Sequence, residues 1–133
     1  MRMLLDTNIC IYVIKRKSAS VLEKFFSFDS GDLGTSSIVV SELEYGVYKS
    51  QQQERNQTAL NQFLTPLQIV PYDRTAAKIY ARVRRELEIK GQVISPMDTL
   101  IASHAISLGV TLVTNNVREF SRIPDLMWEN WVE

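Results

Sequence analysis

Three carboxylates stand where elements of secondary structure are expected to begin or end. Asp6 follows the short apolar run Met3–Leu5, where a buried strand would end and a helix would begin. Asp98 lies in the first turn of a helix opened by Ser95, and Glu42 lies in a third amphipathic helix. Open α/β sheets bind their ligands at the carboxyl ends of their strands. Because no candidate nucleophile stands beside a base, the three acids point to a hard metal ion and phosphate chemistry.

Asp6 and Asp98 each have a structural interpretation as well. Aspartate is a common helix cap, but capping does not explain the whole Asp-Thr-Asn triplet, in which Thr7 and Asn8 can orient the carboxylate or hold a metal-bound water. Ser95, the following proline and Asp98 together resemble a capping box. A first-turn carboxylate is nevertheless aimed at the sheet edge, and the two roles are compatible. We therefore favour a functional role for both acids.

Glu42 belongs to an apolar helix in which two glutamates flank the predicted core face. That face is predicted to consist of Val40, Leu43 and Val47. Gly46 follows Glu42 by one turn and costs the helix on the order of 1 kcal/mol relative to alanine. Such a glycine predicts the close approach of another segment. Glu42 is therefore the better candidate for the site, and Glu44 is expected to be a surface residue.

Composition limits the classes of protein that the chain can belong to. A length of 133 residues predicts one domain, residues 1–133, with its own core. No apolar run is long enough to span a membrane, and Met1 and Arg2 run straight into the first predicted strand, without a signal peptide. The single cysteine, Cys10, cannot form an internal disulfide, which suits a reducing cytoplasm.

The charges balance, with 15 basic and 15 acidic residues. A net charge of zero argues against a protein that grips long nucleic acids with its whole surface. It is compatible with an enzyme whose acids cluster in one cleft with basic residues around it. The candidates for such a basic rim are Lys15, Arg16, Lys17, Arg82, Arg84, Arg85 and Arg118.

Other kinds of catalytic site find little support in the sequence. His104 has neither a second histidine nor a neighbouring cysteine, which makes a zinc site improbable. The sequence contains no recognisable serine–histidine–acid set. Its five glycines are not grouped, so the phosphate-binding glycine loops are absent too.

The apolar periodicity predicts strands that alternate with single or paired helices. The predicted strands are Met3–Leu5, Leu33–Thr35, Gln68–Val70 and Val110–Val113, with Met127 and Trp128 as a candidate fifth. The predicted helices cover about 8–15, a short stretch carrying Val21 to Phe26, about 38–50, 54–64, a long stretch from the Asp73 cap to Lys90, 95–108 and a short turn around 117–120.

Short apolar strands of this kind indicate an α/β fold whose mainly parallel sheet of four to five strands is covered on both faces. The residues that follow the strands then gather at one edge. Asp6 follows the first strand, and Asn115 and Asn116 follow the fourth. These two segments meet only if the first and fourth strands are neighbours, which a right-handed doubly wound order permits.

Four segments together resemble the PIN-domain ribonucleases, specifically the VapC-type toxins of bacterial toxin–antitoxin pairs. The segments are Leu4–Asn8, Ser37–Gly46, Asp98–Ala105 and Val113–Phe120. Each would be weak evidence alone, but four in order and at family spacing, across almost the whole chain, are highly specific. The sequence departs from the family at Asn116, where many members carry a fourth aspartate.

The resemblance implies a three-layer α/β/α fold and an endoribonuclease that depends on Mg²⁺ or Mn²⁺. Toxins of this group typically cut structured RNA, often a tRNA anticodon stem-loop, and so arrest translation and growth. The resemblance also implies a cognate VapB-type antitoxin that obstructs the active site, binding of operator DNA only through the antitoxin complex, and a toxin homodimer.

On this resemblance, the three acids Asp6, Glu42 and Asp98 are direct or water-mediated metal ligands. Thr7 and Asn116 are assigned as orienting groups. Further contributors are expected at Asn8, Thr114 and Glu119.

The first two helices carry more apolar side chains than one core face needs. The set comprises Ile9, Tyr12, Val13, Val21, Leu22, Phe25 and Phe26. An exposed apolar patch is a common docking surface, so part of this set is expected to line a groove for an antitoxin segment.

Three alternatives remain at this point. A phosphatase or phosphotransferase of the haloacid dehalogenase type also begins with a strand and an aspartate, but it needs a second aspartate at the position of Asn8. A receiver domain needs a phospho-acceptor after the third strand, where Asp73 more plausibly caps a helix. A scaffold whose acids are all caps is the non-enzymatic alternative.

Overall fold

The computed structural model describes residues 1–133, except for the side chain of Ser30. Its strands are β1 (Met3–Leu5), β2 (Leu33–Ser36), β3 (Gln68–Val70), β4 (Thr111–Val113) and β5 (Trp128–Glu129). Its helices are α1 (Thr7–Lys15), α2 (Ala19–Ser27), α3 (Ser37–Tyr48), α4 (Gln53–Leu64), α5 (Arg74–Lys90), α6 (Pro96–Leu108) and α7 (Val117–Phe120). The predicted elements are confirmed with end shifts of one or two residues, and β5 begins one residue later than predicted.

The five strands form one parallel sheet in the order β3-β2-β1-β4-β5. β1 and β4 are neighbours, as predicted, and Leu5 pairs with Val113 in their register. The Asp6 amide also donates to the Val113 carbonyl at 2.9 Å. The residues that follow these two strands therefore begin side by side at the carboxyl edge of the sheet.

Side-chain caps begin the helices that matter most for this edge. Asp6 caps α1 through the Thr7 amide, Ser36 caps α3, Asp73 caps α5 and Ser95 caps α6. These side-chain oxygens satisfy amide groups that have no partner inside a helix. Gly91 ends α5 in the left-handed region at φ 68°, which glycine adopts without steric cost.

Helices cover both faces of the sheet. Successive side chains of a strand point to opposite faces, yet all three residues of β1 are buried. The core face of α3 is formed by Val39, Leu43 and Val47, and Val40 is only half-buried. The prediction that Val40 belongs to the core face is therefore wrong, because its neighbour Val39 turns toward the core instead.

The glycine that permits a close approach lies in β2. A Cβ atom at Gly34 would stand 2.7 Å from the Gln68 carbonyl oxygen of the neighbouring strand. At Gly46, by contrast, a Cβ atom would meet no described atom within 4 Å. The prediction of a close approach at Gly46 is wrong. Within the described residues, no helix is both long and apolar enough to cross a membrane.

Candidate metal centre and active site

The acids predicted from the sequence meet beyond the carboxyl ends of β1 and β4. The charge of Glu42 acts on Asp6, and the charge of Asp6 acts on Asp98. Glu119, from the short helix α7, lies against Asp98. Four elements thus contribute one carboxylate each, and the connecting loops of a parallel sheet bring them together at the edge where α/β proteins bind ligands.

Asp6 is held from two sides. Its Oδ1 accepts a hydrogen bond from the Thr7 amide, and its Oδ2 accepts one from the Thr114 hydroxyl, each at 2.7 Å. Thr114 is fully buried and also accepts from the Asn116 amide at 3.0 Å. Burial and the nearby charge of Glu42 raise the pKa of Asp6, while its two hydrogen bonds act in the opposite direction. The carboxylate is therefore fixed in orientation but poorly solvated.

Glu42 is half-buried on α3 and is positioned by α1. The Thr7 hydroxyl donates to its Oε1 at 2.6 Å. Thr7 thus contacts two acids, with its amide bonded to Asp6 and its hydroxyl to Glu42. Glu44 does not join the site, because it accepts a hydrogen bond from Gln57 on α4 at 3.0 Å. It is half-buried rather than a plain surface residue.

Asn116 stands between Asp98 and Glu119. Its amide nitrogen donates to one oxygen of each carboxylate at 3.1 Å. Burial, the hydrogen bond to Glu119 and the charges of Asp6 and Glu119 raise the pKa of Asp98 to about 7. The same hydrogen bond lowers the pKa of Glu119. The more buried Asp98 therefore holds the proton, and the more solvated Glu119 remains ionised.

The donor set suits a hard divalent cation. Carboxylate, amide and hydroxyl oxygens are the ligands that Mg²⁺ and Mn²⁺ prefer. The raised pKa values of Asp6 and Asp98 indicate acids that lack a compensating positive charge. Within the described residues, no three acidic, histidine or cysteine side chains already converge as a cage around one point. The cluster therefore offers the appropriate chemistry with its side chains still engaged by Thr7, Thr114 and Asn116.

Asn8 does not share this arrangement, since it is exposed on α1. This removes support for a dehalogenase-type phosphatase, which would need an acid there beside Asp6. Asp73 accepts from the Ala76 amide at 3.0 Å and serves as the cap of α5, which leaves the receiver-domain alternative without its phospho-acceptor.

His104 is buried away from the acids. Its Nδ1 forms a hydrogen bond with the Ser36 hydroxyl at 2.7 Å, and its Nε2 has no partner among the described residues. Burial lowers the pKa of His104, so the imidazole is neutral. It links α6 to the cap of α3, and no second histidine or thiolate accompanies it as a zinc ligand would require.

Part of the predicted basic rim is engaged elsewhere. Arg82 pairs with Glu86 and Asp125, and Arg84 and Arg85 both pair with Glu88. These ion pairs lie on the exposed side of α5. The prediction that the α5 arginines form a free rim around the acids is therefore wrong, since nearby carboxylates already neutralise them.

Sequence reasoning missed two cations that do lie beside the acids. Lys49 and Arg55 line a groove between α1, α3 and α4 that also includes Thr7 and Glu42. The signal for Lys49 was present, since it follows Glu42 by seven residues, two helical turns, and so lies on the same face of α3. Arg55 carries no such signal, because only the packing of α4 against α3 brings it there.

The apolar set predicted to line an antitoxin groove divides in the structure. Ile9, Val13 and Val21 belong to the core. Tyr12, Leu22 and Phe25 are half-buried, and Phe26 is 64% exposed. The groove between α1, α3 and α4 is lined by other residues. Only these last four residues remain available to a partner.

Comparison with known families and proteins gives a consistent result. Residues 3–126 match the family described as PIN domain. The chain is 46% identical over 129 residues to a protein named Ribonuclease VapC2 from Rickettsia felis, with 96% of each chain covered. It is 43% identical over 131 residues to a protein named tRNA(fMet)-specific endonuclease VapC from Shigella flexneri, with 98% of each covered.

The fold is also similar to that of a solved complex. The toxin chain in the crystal structure of VapBC2 from Rickettsia felis, bound to a DNA fragment from its promoter, superposes with a TM-score of 0.92. The two chains are 45% identical, and the match covers 98% of this chain and 99% of the other. The similarity thus extends over sequence, fold and length together.

Proposed function

We propose, from the premise that this chain belongs to the PIN-domain family and is a VapC-type endoribonuclease, that the acids beyond β1 and β4 are its catalytic centre. The observation that carries this proposal is the convergence of Asp6, Glu42, Asp98 and Glu119 on one edge of the sheet. Residues 1–133 act as a single PIN domain in this proposal.

A divalent cation, Mg²⁺ or Mn²⁺, would be held by Asp6, Glu42 and Asp98. When bound, such an ion activates a water for in-line attack and offsets the charge that develops on phosphorus. The protein supplies orientation. Thr114 and the Thr7 amide fix the carboxylate of Asp6, and the Thr7 hydroxyl fixes Glu42.

Asn116 keeps two acids close together without adding a charge. Its amide hydrogens separate Asp98 from Glu119, and its carbonyl oxygen is free to accept from a water or to contact a cation. Glu119 is ionised and less buried, so it supplies the negative charge that an aspartate at position 116 would bring. We assign Glu119 as a contributor to the charge of the site rather than as a principal ligand.

The substrate that we propose is a tRNA, cut in its anticodon stem-loop. The relative from Shigella flexneri is named as specific for tRNA(fMet), and a loop exposes unpaired nucleotides that a protein can splay out of their stack. Cleavage of such a loop would inhibit translation and growth. The enzyme would accordingly act in the cytoplasm, where tRNA is used.

The partner that we propose is a VapB-type antitoxin that covers the active site. The Rickettsia felis complex carries a promoter fragment, so we propose that this toxin contacts operator DNA only through its antitoxin. We also propose that the toxin is a homodimer.

Metal-dependent cleavage of initiator tRNA tests the catalytic proposal. The wild-type protein is expected to cut it with Mg²⁺ or Mn²⁺ and to stop when a chelator is added. Asp6→Asn should reduce the rate by about a thousandfold or more, because an interaction worth several kcal/mol with the cation is lost. Asp29→Asn changes an exposed acid outside the cluster and serves as the matched control. Wild-type rates in Asp6→Asn would remove Asp6 from the catalytic centre.

A further inference from the structure

A groove leads away from the acids along α3. It has a volume of about 760 Å³ and lies between α1, α3 and α4. Thr7 and Glu42 form its wall on the side of the acids, so it opens directly onto the candidate metal centre. Gly46 lies in the wall one turn after Glu42, and the space beside its Cα is empty of described atoms. The glycine that costs α3 stability therefore keeps this groove wide.

Three cations stand along the groove. Lys15 comes from the end of α1, Lys49 from the end of α3 and Arg55 from the first turns of α4. All three are exposed. None of the ion pairs formed among the described residues includes them. They differ in this from the arginines of α5, whose charges are already compensated.

The rim around Arg55 is ordered by hydrogen bonds. Asn56 donates to the Ser50 hydroxyl at 3.0 Å, and the Ser50 hydroxyl donates to the Val47 carbonyl at 2.7 Å. The Arg55 guanidinium itself donates to the Gln52 side chain at 2.9 Å, which leaves its charge uncompensated. The turn from α3 to α4 is therefore fixed, and it presents a positive charge at the groove without cancelling it.

The floor of the groove is apolar. Half-buried Ile11 and Ile14 of α1 face Leu43 and Val47 of α3 across it. An apolar floor below a cationic rim matches the two parts of a nucleotide, since a base has an apolar face and its phosphate is negative. The volume lies in the range of pockets for small ligands. It therefore admits a short unpaired run of nucleotides and excludes a helical stem.

We propose that this groove binds the single-stranded RNA adjacent to the bond that is cut, with phosphates on Lys15, Lys49 and Arg55 and a base over the apolar floor. The inference rests on the proposed ribonuclease function and adds to it the path of the substrate. It explains how an acidic centre captures a polyanion, because the cations beside it attract the flanking phosphates. It also restricts substrates to RNA whose cut site is unpaired for several nucleotides.

An apolar protein segment would fit the floor but not the rim. Three uncompensated cations in so small a groove would remain unpaired against an apolar helix, whereas each phosphate of an RNA strand compensates one. The continuity of the groove with Glu42 and Thr7 also suits a substrate, which must reach the acids, better than a partner that need only cover them.

Equilibrium binding in an inactive background tests this proposal apart from catalysis. Asp6→Asn protein is titrated into a fluorescent anticodon-loop hairpin, with and without Lys15→Gln, Lys49→Gln and Arg55→Gln, at several salt concentrations. The three cations are exposed, so the triple variant should melt like its parent. We expect at least about a tenfold loss of affinity, and a fall of about 2 in the slope of log affinity against log salt, from about 0.7 per lost phosphate contact in a single strand.

The matched control changes Lys78 and Lys90 to Gln, two exposed cations on α5, which contributes no residue to the groove. It should keep both affinity and salt slope within about a factor of two. In the active background, the triple variant should raise KM for the hairpin and leave kcat largely unchanged. If the triple variant melts below its parent, Lys49→Gln alone is expected to lower the salt slope by about 0.7.

Unchanged affinity and salt slope in the triple variant would overturn the groove assignment, even while wild-type protein cuts RNA. Normal RNA binding with lost binding of an antitoxin peptide would also overturn it and would identify a peptide site. Absence of metal-dependent cleavage by wild-type protein would instead refute the proposed function, and the binding arms would still decide what the groove holds.

Discussion

At Asp98, burial and the neighbouring acids Glu119 and Asp6 raise the pKa to about 7. An aspartate in an unfolded chain has a pKa near 4, so folding without metal favours the protonated form of Asp98. This contribution to stability is complete below the unfolded-state pKa and is lost as the pH rises through about 7. Asp6 acts in the same direction, because its pKa is raised too.

We therefore expect the melting temperature of the metal-free protein to fall between about pH 5 and about pH 8. Asp98→Asn should flatten this fall and should be at least as stable as wild type at the upper end, while abolishing RNA cleavage and growth inhibition. Melts in a chelator over this pH range, beside a cleavage assay, measure both effects. Asp29→Asn should retain the wild-type slope. A slope that persists in Asp98→Asn would place the titrating group elsewhere.

Asn116 determines how many cations the centre holds firmly. An aspartate there would add another negative charge to the cluster, whereas the amide of Asn116 donates to Asp98 and Glu119 and adds none. Less negative charge means weaker attraction for a second cation. The structure thus favours one firmly held ion before RNA arrives, with any second ion accompanying substrate phosphate.

Calorimetric titration with Mn²⁺ is therefore expected to give one tight site in the wild-type protein without RNA. Asn116→Asp should remain active and bind Mn²⁺ more tightly. Asn116→Ala should lose about tenfold to a hundredfold in activity, as supporting residues of metal sites commonly do, and so less than Asp6→Asn loses. Two equally tight sites in the wild type would contradict this interpretation of Asn116.

At the scale of elements, α2 and α4 share an aromatic cluster on the surface. Phe25 stacks on Phe63 with ring centroids 5.8 Å apart and meets Phe26 edge-on at 5.2 Å. Phe26 is 64% exposed, so this end of the cluster has no cover within the chain. Half-buried Tyr12 of α1 receives a hydrogen bond from Asn115 at 3.3 Å, which ties α1 to the loop after β4.

We expect this cluster to dock a segment of the antitoxin. Phe26→Ser should weaken antitoxin binding by more than about 1 kcal/mol, or about fivefold, as aromatic interface residues commonly do. Because Phe26 is exposed, the free energy of unfolding should change by no more than about 0.5 kcal/mol. Tyr12→Ala and Phe25→Ala should weaken binding as well, with some loss of stability. The control is Ile89→Ser, which changes a residue that is 70% exposed on α5.

Antitoxin binding can be measured by titration against the purified antitoxin, with thermal melts of each free variant. If all three aromatic variants bind as tightly as the wild type, the antitoxin uses another surface. Loss of binding in Ile89→Ser alone would locate that surface on α5.

For the whole molecule, a net charge of zero conceals a strong segregation of charge. The acids that would hold a cation lie beyond β1 and β4, and the uncompensated cations Lys15, Lys49 and Arg55 lie next to them along one groove. The cations of α5 are paired and contribute little to this field. Balanced composition therefore gives a protein without general affinity for nucleic acid but with one polar track that ends at the acids.

The sequence by itself determined the elements, the order of the sheet edge and the family. Caps such as Asp73 and Ser95, and apolar runs such as Met3–Leu5, are local signals, so the helix and strand boundaries followed to within one or two residues. The adjacency of β1 and β4 followed from the handedness of parallel crossovers. The family followed from four motifs in register, and the match over residues 3–126 confirms it.

Only the tertiary structure decided which side chains touch. Val39 rather than Val40 faces the core because the exact rotation of α3 depends on its packing against the sheet, which a helical period alone fixes to within one position. The bonds from Thr7 to Glu42 and from Asn116 to Asp98 join residues far apart in the chain. Gly46 beside an open groove, and Arg55 at its rim, depend on how α4 lies against α3. Periodicity specifies a face of each helix, but a contact between two helices depends on the position of both.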